Sequence, residues 1–175
     1  SSLDAWFKEA QLQKLNTTTK YTCCYPNETK LIKAHQKLIQ DKINQVKDKK
    51  VRVLFSAHSL PVSIIKKGDP YQWQVEQTVN AVIKGIHGHE DHVLAYQSKV
   101  TPVKWLEPTT PSEIEKAIHE DKALVIVPIA FVSDHSETLV ELDIEYQELA
   151  SKLGCKHYYR SESLNVDQTF IASLS

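Results

Sequence analysis

Two predominantly apolar runs containing β-branched residues constrain this chain most: VRVLFSAH at Val51–His58 and ALVIVPIAFV at Ala123–Val132. Neither alternates polar with apolar positions, so neither suits a sheet with one wet face. Each reads as a central parallel strand covered on both sides. Around them, segments with helical spacing recur. Leu31, Ala34, Leu38, Ile43 and Val46 form one buried stripe on a helix predicted over residues 28–47. Further helices are predicted over the first fifteen residues, over 72–86, 112–120 and 136–153, and from Asp167 onward. Further strands are predicted at Tyr21–Tyr25, Val93–Gln97 and 155–159. Strands alternating with helices call for a parallel sheet joined by right-handed crossovers, hence an α/β fold of three layers with helices on both faces. Residues 48–175 are assigned to this domain, and 1–47 to elements that belong to, or lead in from, a neighbouring lobe.

At 175 residues the chain can bury one α/β core. Its 21 Lys and Arg against 22 Asp and Glu leave a net charge of −1, without the basic footprint that a nucleic-acid partner needs. The longest apolar run, Ala123–Val132, is about half of what a spanning helix needs, so no transmembrane segment is expected; peripheral membrane contact stays compatible with the sequence. The start, SSLDAWFKEA, lacks the apolar stretch of a signal peptide, and the absence of any Met suggests a trimmed or partial product. Cys23, Cys24 and Cys155 form no CxxC, which fits reduced thiols in a cytosol-like compartment rather than a disulfide or zinc site. With four glycines and no phosphate loop, GxGxxG or GxSxG, nucleotide-binding and serine-hydrolase readings find no support.

Chemistry is expected at the carboxyl ends of the strands, where open parallel sheets bind ligands. Two strand ends lead to histidines, His58 in SAHSLP and His135 in SDHSET, and a third leads to Gln97-Ser98-Lys99 and the loop carrying Trp105. An imidazole titrates near neutrality and can take a proton or hold a divalent metal; alternatively His58 merely caps its strand. After His135, Glu137, Glu141 and Glu145 recur every four residues on one helix face, where like charges repel. Asp134 and Glu137 fit a capping box, which explains the first acid, and a solvated face is the plain alternative for the others. The cluster His87, His89, Glu90, Asp91 and His92 looks like a metal site but falls in a loop entering a strand, at the opposite edge. Trp105, in a Pro-bounded loop, is a candidate wall for a flat ligand.

The stretches FSAHSLPVSIIKKGDPYQWQVEQT, YQSKVTPVKWLEP, VPIAFVSDHSETLVELDIEY and RSESLN resemble the motifs of ferrochelatases, in that family's order, from about Val51 to the end. The resemblance implies a chelatase fold of two similar α/β lobes around a porphyrin cleft, this chain holding the second lobe. It implies insertion of Fe2+ into protoporphyrin IX, with His58 and Glu137 as catalytic residues and metal ligands. Asp134, His135, Glu141 and Glu145 become the supporting acidic and proton path, and Trp105, Ser56 and Lys99 porphyrin-binding positions. Thr101 and Ser136 depart from the usual Gly and apolar residue of those motifs. Iron enters as substrate. No iron–sulfur cluster is expected, because the sequence stops before the cysteine-rich tail that some members carry.

The expected geometry has His58 and Glu137 facing each other across the cleft. The partners implied are porphyrin, ferrous iron and the missing amino-terminal lobe, without which the piece alone is expected to be inactive. A cytoplasmic location is implied, peripheral to the inner membrane in a bacterium, or the mitochondrial matrix in a eukaryote. The rival readings are a coproporphyrin ferrochelatase or another tetrapyrrole chelatase of this fold, a non-catalytic haem- or metal-binding module, and a plain α/β scaffold.

Overall fold

Both apolar runs become neighbouring strands. In the computed structural model, which describes residues 2–22, 24–47, 50–87 and 91–174, β1 (Val51–His58) pairs in parallel with β3 (Ala123–Pro128). On its other edge β1 pairs with β2 (His92–Gln97), and β3 pairs with β4 (Tyr158–Arg160), so the parallel sheet runs β2-β1-β3-β4.

Strand alternation divides the core in two. Val53, Phe55, Ala57, Val125 and Val127 face one side, against Ile32, Ile39 and Ile43 of α2 (Thr29–Ile43) and Val75, Val79 and Val82 of α4 (Tyr71–Ile83). Leu54, Ala95, Leu124 and Ile126 face the other. They pack on Ile114 and Ala117 of α5 (Thr110–His119), Leu142 of a π-helix (Glu137–Glu145), and Tyr146 and Ala150 of α6 (Tyr146–Lys152). This is the expected three-layer α/β architecture. Two short helices, α3 (Val62–Lys66) and α7 (Gln168–Ile171), complete it; α7 is capped by the Asp167 carboxylate and packs Phe170 on Leu31 and Ala34 of α2. Among the described residues no helix is long and apolar enough to cross a membrane.

Several expectations need correction. No strand forms among the described residues of Tyr21–Tyr25, which lie exposed with no neighbouring strand to pair with; Cys23 lies outside the described residues. The first helix exists as α1 (Ser2–Leu12), but its apolar side meets no core, and Trp6 and Phe7 stay 44% and 47% exposed. The Trp6 indole donates to Thr19 Oγ1 and the Phe7 ring meets Tyr21 edge-on. The third strand stops at Pro128 rather than Val132, because the chain turns there, with the Phe131 amide donating back to the Pro128 carbonyl. The helix predicted over 136–153 is wound as the π-helix before it becomes α6.

One buried titratable group makes this core sensitive to acid. His35 of α2 is 3% exposed and lines a cavity of about 300 Å³ with Tyr25, Tyr71 and Val75. Burial pulls its pKa down from 6.5 to about 4, so the fold holds the ring neutral. A histidine depressed in the folded state leaves stability intact above pH 6.5, and the loss grows as pH falls towards 4. Urea unfolding followed between pH 7 and 4.5 is expected to show the midpoint falling in the parent and falling less in His35→Leu. Parallel pH profiles for the two proteins would discard this assignment.

Candidate functional site

The strand order itself locates a crevice. The connection after β1 leads to β2 on one side, and that after β3 leads to β4 on the other. Right-handed crossovers running in opposite directions place α4 on one face and the π-helix with α6 on the other, which opens a cleft outside the carboxyl ends of β1 and β3. His58 is the last residue of β1, and Glu137 is the first of the π-helix that follows β3.

Their side chains meet, with His58 Nδ1 2.7 Å from Glu137 Oε2 and the two groups 37% and 35% exposed. The expectation that they face each other across the hollow is therefore corrected: no ring fits between them, and they form one hydrogen-bonded unit on one wall. When Glu137 is ionised, Nδ1 must donate, which leaves the imidazole lone pair on Nε2. The Tyr71 hydroxyl donates to the His58 carbonyl at 2.9 Å and anchors the strand end. Burial, then Tyr96 and Glu137, push the Tyr71 phenol far above its usual range, so it stays a donor.

Glu141 is held more tightly than Glu137. Its carboxylate accepts from Gln97 Nε2 at 2.9 Å, the Ser98 amide at 2.9 Å, Ser98 Oγ at 2.5 Å and Tyr146 Oη at 2.6 Å. Ser98 reaches it by adopting a left-handed backbone with φ of 64°, a conformation costing a non-glycine residue about 1 kcal/mol. Burial, then the hydrogen bond and charge of Glu141, push the Tyr146 phenol far up, so it too remains a donor. The wide turn has a direct signature: the Tyr146 amide reaches the Glu141 carbonyl, an i→i+5 bond. Glu145 follows on the same stretch but is exposed, without a hydrogen bond or ion pair among the described residues.

Asp134 and His135 shape the approach to this helix, in a way the capping-box expectation did not foresee. Asp134 is drawn off by Arg160 Nη1 at 3.0 Å and Asn165 Nδ2 at 2.7 Å. His135 caps instead: its Nδ1 accepts from the Glu137 amide at 3.1 Å, while its own amide donates to Thr138 Oγ1 at 2.9 Å. Burial alone would raise the Asp134 carboxyl, but the Asn165 amide and the Arg160 charge outweigh it and hold it below the ordinary aspartate range. Arg160 also grips Asp143 of the π-helix through Nε and, at 2.8 Å, through Nη2.

Two of the three expected porphyrin positions lie elsewhere than on an open wall. Ser56 is fully buried beneath the site, its hydroxyl bonded to Gln97 and Thr110, because its place in β1 turns it inward. Trp105 is 8% exposed; its indole N–H donates to the Thr101 carbonyl at 2.8 Å, folding the loop on itself, and Pro61 bridges to its backbone. Lys99 stands at the edge, 31% exposed and 3.7 Å from Glu107. At the opposite edge Asp91 pairs with Arg52 and Lys122, while His89 and Glu90 lie outside the described residues. Among the described residues no group of three or more His, Cys, Asp and Glu is disposed to hold a metal ion; His58 and Glu137 offer two donors.

The bonds made by Tyr146, Arg160 and Asn165 went unassigned from sequence alone; Gln97 was placed with the polar cluster at a strand end, but not as the buried donor to the Glu137 carbonyl and the Glu141 carboxylate.

A family model described as Ferrochelatase matches residues 1–175. The chain is 46% identical over 176 residues to a protein named Ferrochelatase from Pelagibacter ubique (strain HTCC1062), covering 100% of this chain and 51% of that one. It is 52% identical over 162 residues to a Ferrochelatase of Rickettsia bellii (strain OSU 85-389), covering 92% and 45%. With a Ferrochelatase of Rickettsia felis it shares 47% identity over 162 residues, covering 92% and 46%. The chain thus spans about half the length of the curated relatives it matches.

Arg160 offers a test of the scaffold. Its side chain is 12% exposed and serves two carboxylates that are 21% and 32% exposed, so removing it strands partly buried charge. Arg160→Leu is expected to cost about 2 kcal/mol, discounted for that partial exposure, and to lower the melting temperature by roughly 4–8 °C. Arg160→Lys should recover little, since an ammonium cannot reproduce the fork. A melting temperature unchanged in both variants would show that the clamp contributes nothing.

Proposed function

Because this chain belongs to the ferrochelatase family, we propose that it forms the catalytic carboxyl-terminal half of an enzyme inserting Fe2+ into protoporphyrin IX to yield haem. The observation that carries this reading is the His58–Glu137 pair, bonded at 2.7 Å where the direction of the crossovers reverses between β1 and β3. Insertion breaks two pyrrole N–H bonds, releases two protons and exchanges water on iron for porphyrin nitrogen. Imidazole and carboxylate suit both demands: they bind ferrous iron without the hold of a thiolate, and they accept protons near neutrality.

In the proposed mechanism His58 Nε2 is the group presented to the reaction. Glu137 fixes the tautomer through Nδ1 and stabilises the imidazolium that forms when Nε2 takes a proton, as a carboxylate does for a metal-bound or basic histidine. The same pair offers iron two light donors while its waters leave. Exposed Glu145, with Glu141 behind it, supplies an acidic route from the pair to solvent. Lys99 at the rim supplies positive charge towards the porphyrin carboxylates. The amino-terminal half carried by the relatives supplies the facing wall that clamps the ring, and rigid clamping is what permits it to distort.

Two measurements test this. His58→Ala in the full-length protein is expected to lower iron insertion by at least about a hundredfold, the range of a lost general base, while porphyrin binding followed by fluorescence quenching persists. Normal turnover would remove His58 from the mechanism. The 175-residue chain alone is expected to form no haem from Fe2+ and protoporphyrin, and measurable synthesis would overturn the role given to the other half.

A further inference from the structure

Beneath the candidate site runs a line of neutral hydrogen bonds that the reaction does not itself require. Gln97, Ser56 and Thr110 are 1%, 0% and 0% exposed, sealed between the sheet and α5. The direction of every bond is forced from one end. Gln97 meets the Glu141 carboxylate and the Glu137 backbone carbonyl, each at 2.9 Å, and both can only accept. The amide nitrogen must therefore face them, and Gln97 Oε1 must accept from Ser56 Oγ at 2.6 Å. The Ser56 proton is then committed, so Thr110 must donate in the remaining bond of 2.8 Å.

We infer that Ser56 and Thr110 are positioning residues that lock the Gln97 amide and, through it, the first turn of the π-helix and the setting of Glu137 against His58. The inference rests on the reading of the His58–Glu137 pair given above. The alternative amide orientation turns Oε1 towards a carboxylate and a carbonyl, and no other donor to Oε1 stands among the described residues. Without the two hydroxyls, one amide orientation loses its support from within the sheet. The Glu137 carbonyl then loses its side-chain donor from that sheet.

The test separates hydroxyl from packing. Thr110→Val keeps shape and removes the proton, whereas Thr110→Ser keeps the hydroxyl and removes a methyl; Ser56→Ala removes the next link. In the 175-residue chain with 15N-labelled histidine, the hydrogen-bonded ring N–H signal of His58, assigned by its loss in His58→Ala, is expected to shift or broaden in Ser56→Ala and Thr110→Val and to persist in Thr110→Ser. In the full-length protein the first two variants are expected to lower kcat for iron insertion roughly tenfold, the loss tied to one hydrogen bond, with KM for porphyrin unchanged. An unshifted signal in folded Ser56→Ala and Thr110→Val overturns the inference, as does equal loss in Thr110→Ser and Thr110→Val. Should Ser56→Ala fail to fold, the two Thr110 variants decide. A parent that inserts no iron would remove the functional reading while the histidine signal still judged the positioning.

Discussion

Parallel pairing of β1 with β3 is the constraint on which the rest of this molecule depends. Both strands carry buried side chains on both faces, and covering both faces requires crossovers in opposite directions. The register then decides which chemistry reaches the crevice. Leu54, Ser56 and His58 alternate with Phe55 and Ala57, and the even-numbered set faces α5 and the π-helix. Ala95 and Gln97 on β2 share that face. A slip of one residue would turn His58 and Ser56 towards α4 and leave Glu137 without a partner.

On that frame, polar groups are arranged by what each can only do. Carboxylates and carbonyls accept, and every donor near Glu141 is a backbone amide, an amide side chain or a hydroxyl. Neutral donors hold a carboxylate in place while leaving its charge available to the pair above. The charged fork of Arg160 is kept apart, on Asp134 and Asp143 at the outer side of the helix. Its stronger attraction therefore fixes the backbone without neutralising Glu137.

Much of the architecture was legible because period and composition agree. Predominantly apolar runs announced β1 and β3, and helical patterns announced α2, α4 and α5. His58 and Glu137 were legible as strand-end chemistry and, with more force, through motif resemblance. What failed did so for lack of a partner in the sequence itself. The described residues of Tyr21–Tyr25 have strand propensity but meet no strand, and α1 has an apolar side but nothing among the described residues to bury it against. Acids four apart occur on α- and π-helices alike, so their spacing could not reveal the wide turn. Asp134 showed capping potential, and only folding could show that Arg160 and Asn165, distant in sequence, would claim it first.

Position on a strand or a helix also divides labour within the pair. His58 closes a strand that is hydrogen-bonded on both edges and tied by Tyr71, so its backbone has little freedom. Glu137 opens a helix whose first amide is capped by a side chain, His135 Nδ1, and whose carbonyl is held by another, Gln97. Side-chain caps are weaker and more specific than a ladder. In the proposed mechanism the histidine sets where the reaction occurs, and the neighbours of the glutamate set how well its carboxylate meets that point. That asymmetry is why the positioning role is proposed for Ser56 and Thr110, which are buried and reach the glutamate through Gln97.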